Sequence, residues 1–156
     1  KQKTAYEKYS KALAEEPGFV SILSNRASVL LAMGKWSDAI DDCSMALSLL
    51  GVHGAKDTAV QPVGPVPQKH TARFNAWAVK TLARRGTAYC KRKDYEKALA
   101  DFEDGLKLDH ENASLLKDVE KVRDMVARDG NASTTDAASP KDEAVVIEDS
   151  DSNNID

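Results

Sequence analysis

No apolar run in the 156-residue chain approaches the roughly 18 residues that a membrane-spanning helix requires. No apolar leader opens it either, so we expect a cytoplasmic protein without a membrane partner. Cysteine is nearly absent. Cys43 and Cys90 lack the paired spacing of a zinc or redox site and read as reduced core thiols. His53, His70 and His110 stand isolated, and there is no Gly-rich phosphate loop or nucleophile motif. An enzyme is therefore not expected, nor a cofactor or metal. Aromatic residues are sparse and do not interleave with a basic stripe, which argues against nucleic acid. The sequons at Asn112 and Asn131 mean little without a secretory signal.

What the chain does have is Ala, Leu, Lys, Asp and Glu, with 42% apolar residues, the balance of a mostly helical protein. Its net charge of −3 conceals a split. Asp129–Asp156 carries eight acidic residues against Lys141 alone, −7, which leaves +4 for residues 1–128. A basic body with an acidic tail points to an anionic ligand for the body.

Three stretches superimpose: "AYEKYSKAL" from Ala5, "AIDDCSMAL" from Ala39 and "ALADFEDGL" from Ala98. They begin 34 and then 59 positions apart, and 59 is 34 plus an insertion of 25. Small residues recur at Ala5, Ala39 and Ala98 and at Ala12, Ala46 and Gly105, with Tyr9, Cys43 and Phe102 between them. Small, large, small at helical spacing lets two helices approach closely while one knob fills the gap. A period of 34 is that of stacked helix-turn-helix units.

The pattern predicts a partial first repeat over 3–16 and a second over 19–50, turned by Gly34. "GVHGAKDTAVQPVGPVPQ", from Gly51, holds three prolines and three glycines, so 51–70 should be an insertion loop without protection. A third repeat follows over 71–108. Phe74, Trp77, Ala78 and Thr81 share one helix face, so its first helix starts early. A cap helix over 112–128, with Leu115, Leu116, Val119, Val122 and Val126 on one side, precedes a disordered acidic tail over 129–156. With half of the first repeat missing, Tyr6, Tyr9 and Leu13 face nothing, an open face that favours self-association.

"KTLARRGTAYC" carries Lys80, Arg84 and Arg85 within one helix. Subtracting 59 from Arg84 gives Asn25, on the first helix of the preceding repeat, and Lys80 is one turn from Arg84. Asn25, Lys80 and Arg84 should converge on the concave side of the stack, on a surface that Val79, Leu82, Ala83 and Gly86 do not occupy. Lysine and arginine hold carboxylates by charge-assisted bonds, and an amide adds a further donor. Arg85, farther around the helix, should pair inside the repeat with Asp41 or Asp42.

Over Lys3–Leu108 the chain resembles the tetratricopeptide-repeat family. "LSNRASVLLAMGKWSDAIDDCSMAL" and "KTLARRGTAYC" resemble its carboxylate-clamp co-chaperones. That resemblance implies an all-α, right-handed superhelical stack of repeats closed by a cap helix. It also implies Glu-Glu-Val-Asp C-terminal peptides of heat-shock proteins 90 and 70 as partners, held by Asn25, Lys80 and Arg84. Within the family, "NRA", "A-RRGTAYC" and the insertion before "TARFNAWAVK" are similar to axonemal dynein assembly factors, which implies dynein chains and other assembly factors as further partners. The alternatives are a general protein–protein scaffold, or the targeting arm of a longer enzyme such as a phosphatase or isomerase. Two features of the tail complete the reading. "AVVIEDSDS" resembles SUMO-interacting motifs and implies a SUMO contact through Val145, Val146 and Ile147. The final Ile155-Asp156 offers an apolar side chain and two carboxylates that could occupy the clamp.

Overall fold

The computed structural model describes residues 1–52 and 60–135, with side chains described as far as Asp129. Six helices follow one another: α1 (Gln2–Glu15), α2 (Val20–Ala32), α3 (Trp36–Leu50), α4 (Ala72–Lys91), α5 (Tyr95–Leu108) and α6 (Ala113–Thr135). Among the described residues there is no strand, only an isolated bridge between Phe19 and Val63. Each helix packs on the next, and α2 also meets α4 directly. That second contact brings the first helices of the two complete repeats side by side and makes a shared groove between them.

The turns that reverse the chain repeat at atomic detail. Lys35 N–H donates to the Leu30 carbonyl and Gly34 N–H to that of Leu31, at 2.9 and 3.1 Å. Fifty-nine positions on, Asp94 donates to Tyr89 and Lys93 to Cys90, both at 2.9 Å. This pattern requires a left-handed residue just past the helix. Gly34 supplies it at φ 76°, and Lys93 adopts it at φ 62° despite its side chain. At the starts, the Thr71 hydroxyl accepts from Phe74 N–H and the Asn112 side-chain carbonyl from Leu115 N–H, capping α4 and α6.

Between paired helices the small positions are buried to the limit: Ala39, Ala46 and Ala98 expose nothing. In the third repeat Phe102 is the knob, and a Cβ on Gly86 would stand 2.7 Å from its ring. In the second repeat Cys43 and Ala27 hold those two places, both fully buried. The larger knob stands opposite the smaller partner.

One arrangement was not anticipated. The Arg26 guanidinium grips both carboxylate oxygens of Asp42 at 2.7 Å and reaches the Ser10 hydroxyl at 3.2 Å. Arg85 does the same with Asp101, at 2.7 and 2.8 Å, and with Ser44 at 3.1 Å. Arg85 therefore does not pair with Asp41 or Asp42: Asp42 is already held by Arg26, and the same 16-residue offset from Arg85 falls on Asp101. Each arginine joins its own repeat's two helices to the last helix of the repeat before.

Three further expectations change. Leu13 and Tyr6 do not face nothing. Leu13 is buried with Val20 and Leu23, and Tyr6 packs toward Leu30 beneath the cations of Arg26 and Lys35. Tyr9 alone of the three borders an open cavity of about 480 Å³, beside Ala5 and Lys8. The insertion is loop, but its described part is docked. Val63 N–H donates to the Gly18 carbonyl at 2.9 Å, and Val52 and Val66 join the core beside Leu50 and Phe74. A Cβ on Gly18 would strike the Gln61 carbonyl, so glycine there is what admits the loop. Finally, α6 continues through Thr135, seven residues past Arg128, since no proline interrupts it. Residues 136–156, including Val145, Val146, Ile147 and Asp156, lie outside the described part.

Candidate peptide-binding groove

Lys80 and Arg84 lie one turn apart on α4, and Asn25 lies on the adjoining α2. Asn25 and Lys80 are exposed and border the same cleft, about 180 Å³, with Val20, Ser21, Ser24, Trp77 and Thr81. The floor of this cleft is two hydroxyls. Thr81 donates to the Trp77 carbonyl at 2.8 Å, and the Ser24 hydroxyl lies 3.2 Å from that of Thr81. Because the Thr81 proton is committed, Ser24 must be the donor of that pair.

Arg84 stands beside this cleft rather than lining it. One terminal nitrogen, Nη1, donates to the Ser24 carbonyl at 2.6 Å and to the Ser24 hydroxyl at 2.8 Å. Half-burial pulls the guanidinium below its ordinary pKa, although an arginine stays charged at any physiological pH. Among the described residues its Nε and Nη2 have no hydrogen-bond partner. The arginine is thus anchored to the residue before Asn25 while two of its nitrogens remain available. Sequence reasoning nominated Asn25, Lys80 and Arg84 and did not name Ser24 or Thr81 for this cleft, because which residues of α2 meet α4 is set by packing rather than by spacing.

Lys80 also borders a second, larger hollow of about 550 Å³ between α4 and α6. Its floor includes Ala76, Val79, Ala83 and Leu115, and its rim includes Asn75 and Asp118. Val79 and Ala83 therefore do line the groove, contrary to expectation. The groove curves past α6, which exposes one more flank of α4 than a two-repeat count allows. Leu82 and Gly86 are buried, as expected. Burial pushes the Cys43 thiol up to about 12 and the Cys90 thiol up to about 11, so both are protonated near neutrality. No group of three or more candidate metal ligands occurs among the described residues.

A model of the tetratricopeptide repeat matches residues 79–112, one full period from the start of the Lys80 face to the cap of α6. The same helical stack is found in the first tetratricopeptide domain of human RPAP3, at a TM-score of 0.62, 23% identity and 84% coverage of each chain. This is a tetratricopeptide-repeat fold. The first such domain of Spaghetti (RPAP3), bound to the HSP90 peptide SRMEEVD, matches at a TM-score of 0.60 and 22% identity, covering 81% of this chain and 80% of that one. The second domain of human RPAP3, in complex with the HSP70 peptide SGPTIEEVD, matches at 0.57 and 24%, covering 79% and 82%. Among curated proteins, dynein axonemal assembly factor 4 of Rattus norvegicus is 31% identical over 122 residues, which is 78% of this chain and 25% of that protein. The Hsp70-Hsp90 organizing protein of Triticum aestivum is 34% identical over 118 residues, 73% of this chain and 17% of that one. The chain thus spans a quarter or less of the relatives it resembles. No helix among the described residues is long and apolar enough to cross a membrane.

Proposed function

We propose that this domain is a co-chaperone adaptor that grips the free C-terminal carboxylates of Glu-Glu-Val-Asp tails on heat-shock proteins 90 and 70. The observation that carries the reading is Asn25 and Lys80 bordering one cleft with the anchored Arg84 beside it. In this reading Lys80 and Arg84 hold carboxylates and Asn25 the terminal residue. The peptide-bound neighbours of the same fold, and the organizing protein among the relatives, support it. The likeness to dynein axonemal assembly factor 4 supports a finer proposal, that the adaptor serves cytoplasmic assembly of axonemal dynein. A general scaffold that takes other peptides in the same groove is the second reading, favoured by the apolar floor that Val79, Ala83 and Leu115 give the larger hollow.

Charge-assisted bonds contribute about 1.5–3 kcal/mol each, so Lys80→Ala should weaken binding of a free-carboxylate tail roughly 10- to 100-fold. Amidating the peptide terminus should weaken it similarly, and added salt should weaken it further. Arg84→Gln keeps a donor toward Ser24 while removing the charge, and should also weaken binding without loosening α2 from α4. Lys107→Ala, on the exposed side of α5, is the control and should leave affinity unchanged. Fluorescence anisotropy with labelled peptides reads all five comparisons. Equal binding of free and amidated peptides would establish the scaffold reading instead.

A further inference from the structure

The period that placed Arg84 opposite Asn25 can be carried one step further. Adding 34 to Arg84 gives Asp118, on α6, and adding 34 to Lys80 gives Ser114; both border the larger hollow with Lys80. One position, read along the three groove-lining helices, is therefore an amide, a cation and a carboxylate. Asp118 is half-buried, and among the described residues its carboxylate has no ion-pair or hydrogen-bond partner. The other carboxylate on that rim, Asp109, already accepts from the Asn112 side chain at 3.1 Å. Between the cationic and anionic ends the floor is apolar, formed by Val79, Ala83 and Leu115.

We infer that the α4–α6 section of the groove is a subsite for a basic side chain on the same peptide, with Asp118 as its counter-charge. The inference rests on the clamp reading above. With helices of a stack spaced about 8–10 Å apart and the hollow lying between α4 and α6, a chain running from the α2–α4 cleft to Asp118 must cover on the order of 15 Å. An extended chain advances about 3.3 Å per residue, which places the basic residue five or six positions from the terminal carboxylate. The intervening acidic residues fall near Lys80 and Arg84, and an apolar residue then crosses the Val79–Ala83–Leu115 floor. A tail with arginine at that point complements the groove, one with a neutral residue does not, and one with glutamate is repelled.

Three peptides ending in Met-Glu-Glu-Val-Asp, with Arg, Ala or Glu as the sixth residue from the end, distinguish these cases. Each is titrated by calorimetry into the unaltered chain, Asp118→Asn and Asp118→Lys, at low and at moderate salt, with circular dichroism as the check on folding. The unaltered chain should bind Arg over Ala by about three- to fivefold, with Glu weakest, and salt should compress the spread. Asp118→Asn should flatten the order, and Asp118→Lys should reverse it. The same order in all three proteins, or equal binding of the three peptides to the unaltered chain, would overturn the subsite and leave the clamp standing. Failure of every peptide to bind the unaltered chain would overturn the clamp, and the subsite with it.

Discussion

The adjacent arginines of α4 are separated by about 100° around the helix axis, and that rotation decides the use of each. Arg84 turns toward α2 and the groove, where it keeps two nitrogens uncommitted among the described residues. Arg85 turns into the repeat, where its fork closes on an Asp101 side chain only 5% exposed. Removing Arg85 would take both guanidinium bonds from that buried carboxylate, so Arg85→Ala should destabilise the fold by about 3–5 kcal/mol in urea denaturation. A loss below 1 kcal/mol would show that Asp101 relaxes into water instead. The partner of Arg85 was legible in principle, since Arg26 to Asp42 and Arg85 to Asp101 share one offset. The contact of Arg84 with Ser24 was not, because no periodicity encodes which turn of α2 abuts which turn of α4. Lys93 offers a second test at this scale. It holds a left-handed conformation that glycine holds at Gly34, and an L side chain there costs about 1 kcal/mol. Lys93→Gly should raise the thermal midpoint, and an unchanged or lowered midpoint would mean that unfolded-chain entropy cancels the relief.

At the scale of the element, the helix pairs are matched in volume as well as in hydrophobicity. Gly86→Ala should gain helix propensity of about 1 kcal/mol and lose more through the Phe102 ring, which is 2% exposed and has little room to retreat. A net destabilisation of about 1–2 kcal/mol is expected, and Phe102→Leu introduced together with it should recover part of the loss. If the double variant is as unstable as the sum of the singles, the two residues are not in the tight contact described. The helices themselves were readable from small–large–small spacing and from the Thr71, Gly34 and Gly51 boundaries. The docking of the insertion was not. It depends on a glycine at position 18 meeting a carbonyl at position 61, a pairing without any local signature.

On the scale of the whole molecule, the period of 34 was enough to read an all-α stack, because repeats that share one core must place equivalent residues equivalently. The same property explains why Asn25, Lys80 and Arg84 could be nominated from spacing while the hollow beside α6 was overlooked: α6 had been read as a cap rather than as a further groove wall. The arginine links now bear on how the stack comes apart. Ser10, Arg26 and Asp42 couple α1 to α2 and α3, and Ser44, Arg85 and Asp101 couple α3 to α4 and α5. Carried on by 34, the next arginine position is Val119, so the series stops before α6. Among the described residues, the junction of α5 with α6 rests on apolar contacts that include Leu115, Val119 and Val122 and on an exposed pair between Arg123 and Glu103. In a linear array, stability is divided between units and the couplings that join them. With two strong couplings and one weak one, α1–α5 should melt as a single cooperative block while α6 opens separately at lower free energy. Native-state hydrogen exchange should show amides of α6 exchanging through that partial opening, whereas those of α2–α5 wait for global unfolding. Uniform exchange across all six helices would mean that the apolar junction couples as strongly as the arginines do.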